Sequence, residues 1–231
     1  MSSLLAFLIT SLKFNKIFLP ALSIILSIGA YAMLYGSQFA VGFVGLILIH
    51  EMGHYLAAKQ KGLNVGLPTF IPFVGAWIEL KEQPLNAEVE AYVAYAGPFV
   101  GTLAAFALYY WGHTIHSGLL LALAQAGFII NLFNLIPLHP LDGGRITAVL
   151  SPRLWLLGAP ILVAIWCYHP SPMLILIAVI SFPQLIKAWN YDPKKPENQL
   201  YYHVKDTVKF EYAVMYLGLI IILALMLKGQ V

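Results

Sequence analysis

The chain has 231 residues, of which 60% are hydrophobic and only 10% charged, with a mean hydropathy of +0.80. A soluble domain carries roughly a quarter charged residues, so this composition excludes an ordinary water-soluble fold and calls for a lipid bilayer. The net charge of +3 is small and divided among loops, so no nucleic-acid partner is expected, and the single cysteine, Cys167, excludes an internal disulfide or a Cys-rich metal site.

A spanning helix takes about 20 mostly apolar residues. In chain order the qualifying segments are 17–35, 39–58, 89–111, 119–138, 154–168, 173–189 and 212–227, of which the fifth and sixth are short and interrupted or bounded by prolines. The apolar run 4–12 is too short to cross and is expected in the interface; with no basic region before it, it does not read as a signal peptide. The expected fold class is an all-α polytopic membrane protein of about six or seven transmembrane helices. Residues 1–231 are expected to form a single transmembrane domain, with its catalytic core at about 39–150, a hydrophilic linker at about 191–209 and an extra C-terminal span at about 212–227.

The basic residues give this division an orientation. With the N-terminus in the cytoplasm, 12 of the 13 Lys and Arg residues fall on the cytoplasmic side and only Lys228 does not. The opposite loops, near Gly36, His113–Ser117 and His169–Ser171, carry none. That is the positive-inside pattern of a multi-pass protein, most simply one of the cell membrane.

Between the second and third spans, residues 65–80 are apolar yet broken by Gly66, Pro68, Pro72 and Gly75, which prevents a continuous helix. Trp77-Ile78-Glu79-Leu80 alternates as a half-buried strand does. The segment reads either as a membrane-surface loop or as a re-entrant loop or short β-hairpin that dips toward a cavity.

Ionisable groups inside apolar spans are costly and mark function by default. In the second span, Ile49-His50-Glu51-Met52-Gly53-His54 sets two imidazoles at i and i+4, on one face of a helix, with a carboxylate beside the first. Such a pair can hold a metal ion, and the neighbouring carboxylate can move a proton of a water polarised there. His50 lies roughly 17 Å into its span at about 1.5 Å per residue, near the middle of the bilayer. A catalytic zinc site usually takes a third protein ligand. Asp142 is the leading candidate: it follows the fourth span on backbone broken by Pro137 and Pro140, ahead of Gly143-Gly144. His139 is the rival, though its place between prolines makes helical presentation difficult.

His50-Glu51-Met52-Gly53-His54 in one span, with Asn134-Leu135-Ile136-Pro137 leading to Leu141-Asp142-Gly143-Gly144 in a later one, resembles the site-2 protease family of intramembrane zinc metalloproteases. The resemblance runs from about Phe43 to Arg145 and includes Ala96-Gly97-Pro98. It implies one zinc ion per chain held by His50, His54 and Asp142, with Glu51 as catalytic acid and base and Asn134 as a polar residue beside the active site. It also implies hydrolysis of peptide bonds in membrane-spanning protein substrates, with access more readily from the cytoplasmic side. Two features depart from the family. Gly101-Thr102 stands where many members carry an asparagine, and the length leaves no room for PDZ or CBS domains, so substrate selection would rest on the membrane core, the loops or a partner.

Two readings of other classes stand beside this one: a metal-ion transporter or channel, and an inactive scaffold that binds membrane proteins. A conduction path needs ligands distributed through the depth of the bilayer, whereas the candidates here form one cluster. Glu51 beside a full ligand set argues against a scaffold.

Overall fold

In lipid, backbone N–H and C=O groups have no solvent partner, so the apolar runs satisfy them internally by folding as helices. A computed structural model describes residues 2–73, 75–77 and 84–229. In order come α1 (Ser2–Tyr35), α2 (Ser37–Gln60), β1 (Thr69–Ile71), β2 (Gly75–Trp77), α3 (Ala87–Thr114), α4 (Gly118–Asn134), α5 (Asp142–Ala148), a 3-10 turn (Pro152–Leu157), α6 (Gly158–Tyr168), α7 (Pro172–Trp189), α8 (Pro196–Tyr202) and α9 (Asp206–Lys228). The all-α architecture with a small hairpin between the second and third long helices is the one expected from sequence.

Among the described residues five helices are long and apolar enough to cross a membrane: Phe18–Tyr35 within α1, α2, α3, α7 and α9. The fourth and fifth spans fall short of that length, at Gly118–Asn134 and Pro152–Tyr168. The fourth was expected to reach residue 138 but stops at Asn134, because the residue before a proline is disfavoured in the helical region and Pro137 lacks an N–H. Residues 4–12, expected as a separate interfacial piece, continue into α1 without a break. The expected linker 191–209 holds α8 and the first turn of α9. Of the alternating segment 77–80, only the Trp77 backbone lies within the described residues.

Chain reversals are set by local chemistry. Gly36 takes φ 84 between α1 and α2, a conformation that side chains other than glycine resist. Asn86 caps α3 by accepting the Val89 N–H at 2.9 Å, and Ser117 caps α4 by accepting the Leu120 N–H at 3.4 Å.

The centre of the molecule is α3, with α2 and α4 packed along it and α5 against it. The apolar effect does not draw helices together inside lipid, so close backbone approach does. A Cβ on Gly53 of α2 would meet the Ala96 carbonyl and Gly97 of α3, and one on Gly127 of α4 would meet the Ala105 methyl of α3 at 2.9 Å. Large side chains such as Leu19, Ile25, Val179, Phe182, Ile221 and Leu225 stand exposed around the outside, where lipid rather than water is their solvent.

The hairpin pairs β1 and β2 antiparallel, with Phe70 opposite Ala76. Its β1 strand is tied to α1: the Phe70 N–H donates to Ser23 Oγ at 3.0 Å, and beyond the strand the Phe73 N–H donates to Tyr31 Oη at 3.2 Å. β1 is thus enclosed between α1 and β2, and among the described residues β2 pairs with no other strand.

The α2–α3 approach yields a paired expectation. Gly53→Val overfills the contact and costs about 1–3 kcal/mol, read as a fall of the order of 5 °C in the unfolding midpoint in detergent. Gly45→Val meets open space and leaves the midpoint unchanged. Equal midpoints for the two variants would contradict this packing.

Candidate active site

His50 and His54 lie one turn apart on one face of α2 with Glu51 beside the first, and all three are buried. Asp142, the first residue of α5, meets the two histidines directly, and all four residues line a cavity of about 540 Å³. Asp142 Oδ2 lies 3.1 Å from His50 Nε2, and Oδ1 lies 3.3 Å from His54 Nε2. The two Nε2 atoms are 3.1 Å apart. These three residues offer ligand atoms within 4.8 Å of one another, the one such group among the described residues.

Their outer hydrogen bonds decide which atoms point inward. His50 Nδ1–H donates to Asn131 Oδ1 at 2.8 Å, and the Asn131 amide is oriented by its own Nδ2–H, which donates to the Gly127 carbonyl at 2.8 Å. His54 Nδ1–H donates to the Val93 carbonyl at 2.8 Å. A carbonyl only accepts, so both rings carry their proton on Nδ1 and present bare Nε2 lone pairs to the centre. Two imidazole lone pairs and a carboxylate then face one another with no donor between them. Such a set is repulsive unless a cation sits among them, and two nitrogens and an oxygen are a donor set that suits zinc.

Backbone geometry holds Asp142 in place. Gly143 lies against the Leu135 and Ile136 carbonyls and Gly144 against the backbone of Leu138 and His139, leaving no room for a Cβ at either position. Trp155 Nε1–H donates to the Gly144 carbonyl at 2.7 Å, and Thr147 Oγ1–H to the Gly143 carbonyl at 2.7 Å. The glycines of α3 likewise make room for side chains of the site: a Cβ at Gly97 would occupy the His54 ring, and one at Gly101 would occupy the Asn131 amide.

Glu51 lines the same cavity and has no hydrogen-bond partner among the described residues, and the titratable and charged groups acting on it are His50, Asp142 and Arg145. Asn134 also lines the cavity but makes no hydrogen bond to the cluster. His139, the rival ligand, is outside the cluster: its ring stands 6.1 Å from that of Trp155, and burial pushes its imidazole down to about 4. The partners of the two rings, Asn131 and Val93, are absent from the sequence expectation. Asn131 had a readable signal, an amide inside an apolar helix; a backbone carbonyl has none.

Residues 38–118 match the model of peptidase family M50. The chain is 31% identical over 134 residues to "Zinc metalloprotease MJ0392" of Methanocaldococcus jannaschii, covering 55% of this chain and 38% of that protein. It is 36% identical over 67 residues to "Probable zinc metalloprotease EGY1, chloroplastic" of Arabidopsis thaliana, covering 27% of this chain and 12% of that protein. The solved structure titled "Site-2 Protease from Methanocaldococcus jannaschii" aligns with a TM-score of 0.47 at 19% identity, over 72% of this chain and 85% of that one. The chain therefore spans well under half the length of these two curated relatives. With its five long apolar helices it is an integral multi-pass membrane protein.

The Nδ1 bonds generate a test. Asn131→Leu removes the acceptor for His50 and frees its ring to turn. Metal affinity, measured by chelator competition, is expected to fall about 10–100-fold with helicity unchanged. Wild-type affinity in that variant would remove Asn131 from the site.

Proposed function

We propose that the chain, whose residues 38–118 match peptidase family M50, is an intramembrane zinc endopeptidase that hydrolyses peptide bonds of membrane-spanning proteins. The observation that carries the reading is the convergence of His50 Nε2, His54 Nε2 and an Asp142 carboxylate, with both Nδ1 atoms already engaged, beside an unpaired Glu51. One zinc ion per chain, held by His50, His54 and Asp142, would supply an activated water and a Lewis acid for the scissile carbonyl.

The residues of the chain have complementary tasks. The Glu51 carboxylate lines the cavity without a hydrogen bond of its own, free to take a proton from the attacking water and return it to the departing amine. Asn134, on the same wall, offers an amide to the substrate carbonyl as negative charge develops there. The apolar lining, with Phe43, Ile47, Ile130, Phe133 and Ile177, suits an aliphatic or aromatic segment and restricts water to the polar patch.

A helical substrate hides its carbonyls in its own hydrogen bonds, so it must unwind before attack. Gly75 and Ala76 of β2 border the cavity, and β1 is already occupied on both sides. β2 is therefore the edge to which an unwound segment can add as a strand. The distribution of Lys and Arg supports a cytoplasmic N-terminus, with the turns at Gly36, Ile115–Ser117 and His169–Ser171 on the opposite side and water entering from the cytoplasm.

Metal content and cleavage of detergent-purified protein test the reading together. The expectation is one zinc per chain in wild type and in Glu51→Gln, much less in His54→Ala and Asp142→Ala, and a loss of cleavage of about 10²–10⁴-fold in Glu51→Gln. A well-folded wild type without zinc would overturn the proposal. Trp77→Pro examines the strand edge separately: cleavage should drop while zinc is retained, and unchanged cleavage would remove β2 from substrate binding.

A further inference from the structure

The C-terminal segment, α8 and α9, reaches the candidate site from the side opposite the cavity. Tyr216 of α9 is buried, and its hydroxyl donates to the Leu135 carbonyl. That carbonyl lies at the end of α4, among those a helix leaves without internal partners. It is also one of the atoms against which Gly143 is seated, next to Asp142. The Leu135 carbonyl is thus held between a tyrosine hydroxyl on one side and the backbone that presents Asp142 on the other.

A second hydroxyl converges on the same short helix. Tyr201 of α8 donates to Glu90 Oε2 at 2.7 Å, and Glu90 Oε1 lies 3.9 Å from Nε of Arg145, one turn along α5 from Asp142. Around these bonds Tyr212, Tyr216, Leu219 and Leu223 of α9 form one apolar cluster with Ala87, Ala91 and Ala94 of α3 and with Ile146 and Val149. α5 has seven residues. So short a helix is marginal by itself, and its position depends on what is packed around it.

We propose that Tyr216, supported by Tyr201, is a positioning residue that fixes α5, and through it Asp142, so that the C-terminal span is part of the catalytic unit. The inference rests on the zinc-peptidase reading for its functional meaning and on the hydrogen bonds alone for its structural meaning.

The test uses the full chain in detergent with Tyr216→Phe, Tyr201→Phe and, as control, Tyr212→Phe, whose hydroxyl only approaches the Glu88 carbonyl at 3.5 Å. Each variant keeps the ring and its packing. In Tyr216→Phe, chelator competition should show about tenfold weaker zinc binding, and the visible spectrum of the cobalt-substituted protein should change. Hydrogen exchange over residues 135–148 of the metal-free protein should quicken about fivefold. Tyr201→Phe should shift the same readouts in the same direction by less, and Tyr212→Phe should match wild type. Wild-type zinc affinity, cobalt spectrum and exchange in Tyr216→Phe would overturn the proposal, as would equal losses in Tyr212→Phe. If wild type takes up no zinc, the peptidase reading fails, while exchange over 135–148 still decides whether Tyr216 holds the turn.

Discussion

The site depends on two hydrogen bonds that point away from it. A neutral imidazole has one protonated nitrogen, and whatever binds that proton selects the nitrogen left bare. Asn131 and the Val93 carbonyl take the Nδ1 protons of His50 and His54, so the rings present Nε2 to each other and to Asp142. The surroundings follow from holding those acceptors still. Val93 is a backbone group of α3, so α3 must lie at a fixed height beside α2; Asn131 belongs to α4, so α4 must approach from the other side. The small residues along these helices, Gly53, Gly97, Gly101 and Gly127, are what permit both approaches.

Asp142 poses a different problem, because it reaches the bundle on non-helical backbone. Irregular backbone inside a membrane survives only where protein or a wet cavity satisfies it. Here the broken stretch between α4 and α5 and the start of α5 find several partners: Leu138 N to Ile136 O, Leu141 N to Leu138 O and Gly144 N to Leu141 O, with Trp155 on the Gly144 carbonyl and Tyr216 on that of Leu135. The carboxylate is therefore carried by a turn that is bonded to α9 through Tyr216 and, by way of Gly144, to Trp155.

Much of this is legible in the sequence, for physical reasons that can be named. His50, Glu51 and His54 announced themselves because titratable groups in an apolar span need a purpose, and their spacing is that of one helix face. Asp142 was legible because Pro137, Pro140 and Gly143-Gly144 mark where backbone leaves the helix. What stayed hidden was the relation between helices. Gly101, where the family resemblance implies an asparagine, reads in sequence as a loss of polarity from the third span; in the fold it is the space that the Asn131 amide fills from the fourth. Asn134 was singled out by resemblance, whereas the amide bonded to the cluster lies one turn earlier at Asn131. The support given by Val93 could not be read, because a carbonyl is common to every residue. Hydropathy continues through Leu138, four residues beyond the end of α4 at Asn134, because the side chains stay apolar after the hydrogen bonding has changed.

The hairpin and the C-terminal segment treat the centre in opposite ways. β1 is held by α1 through Ser23 and Tyr31, but β2 faces the cavity with one edge unpaired by any described strand. Such an edge is a liability in a soluble protein and is most useful where a substrate must exchange helical hydrogen bonds for new ones. On the other side, α9 packs against α3, α4 and α5 with buried tyrosines. On the proposed reading, a peptide that enters can disturb the hairpin side without disturbing Asp142, because the turn carrying Asp142 is supported from behind. On the same reading, separating a permissive wall from a supported one lets the site accept an unwound segment while His50, His54 and Asp142 keep their places.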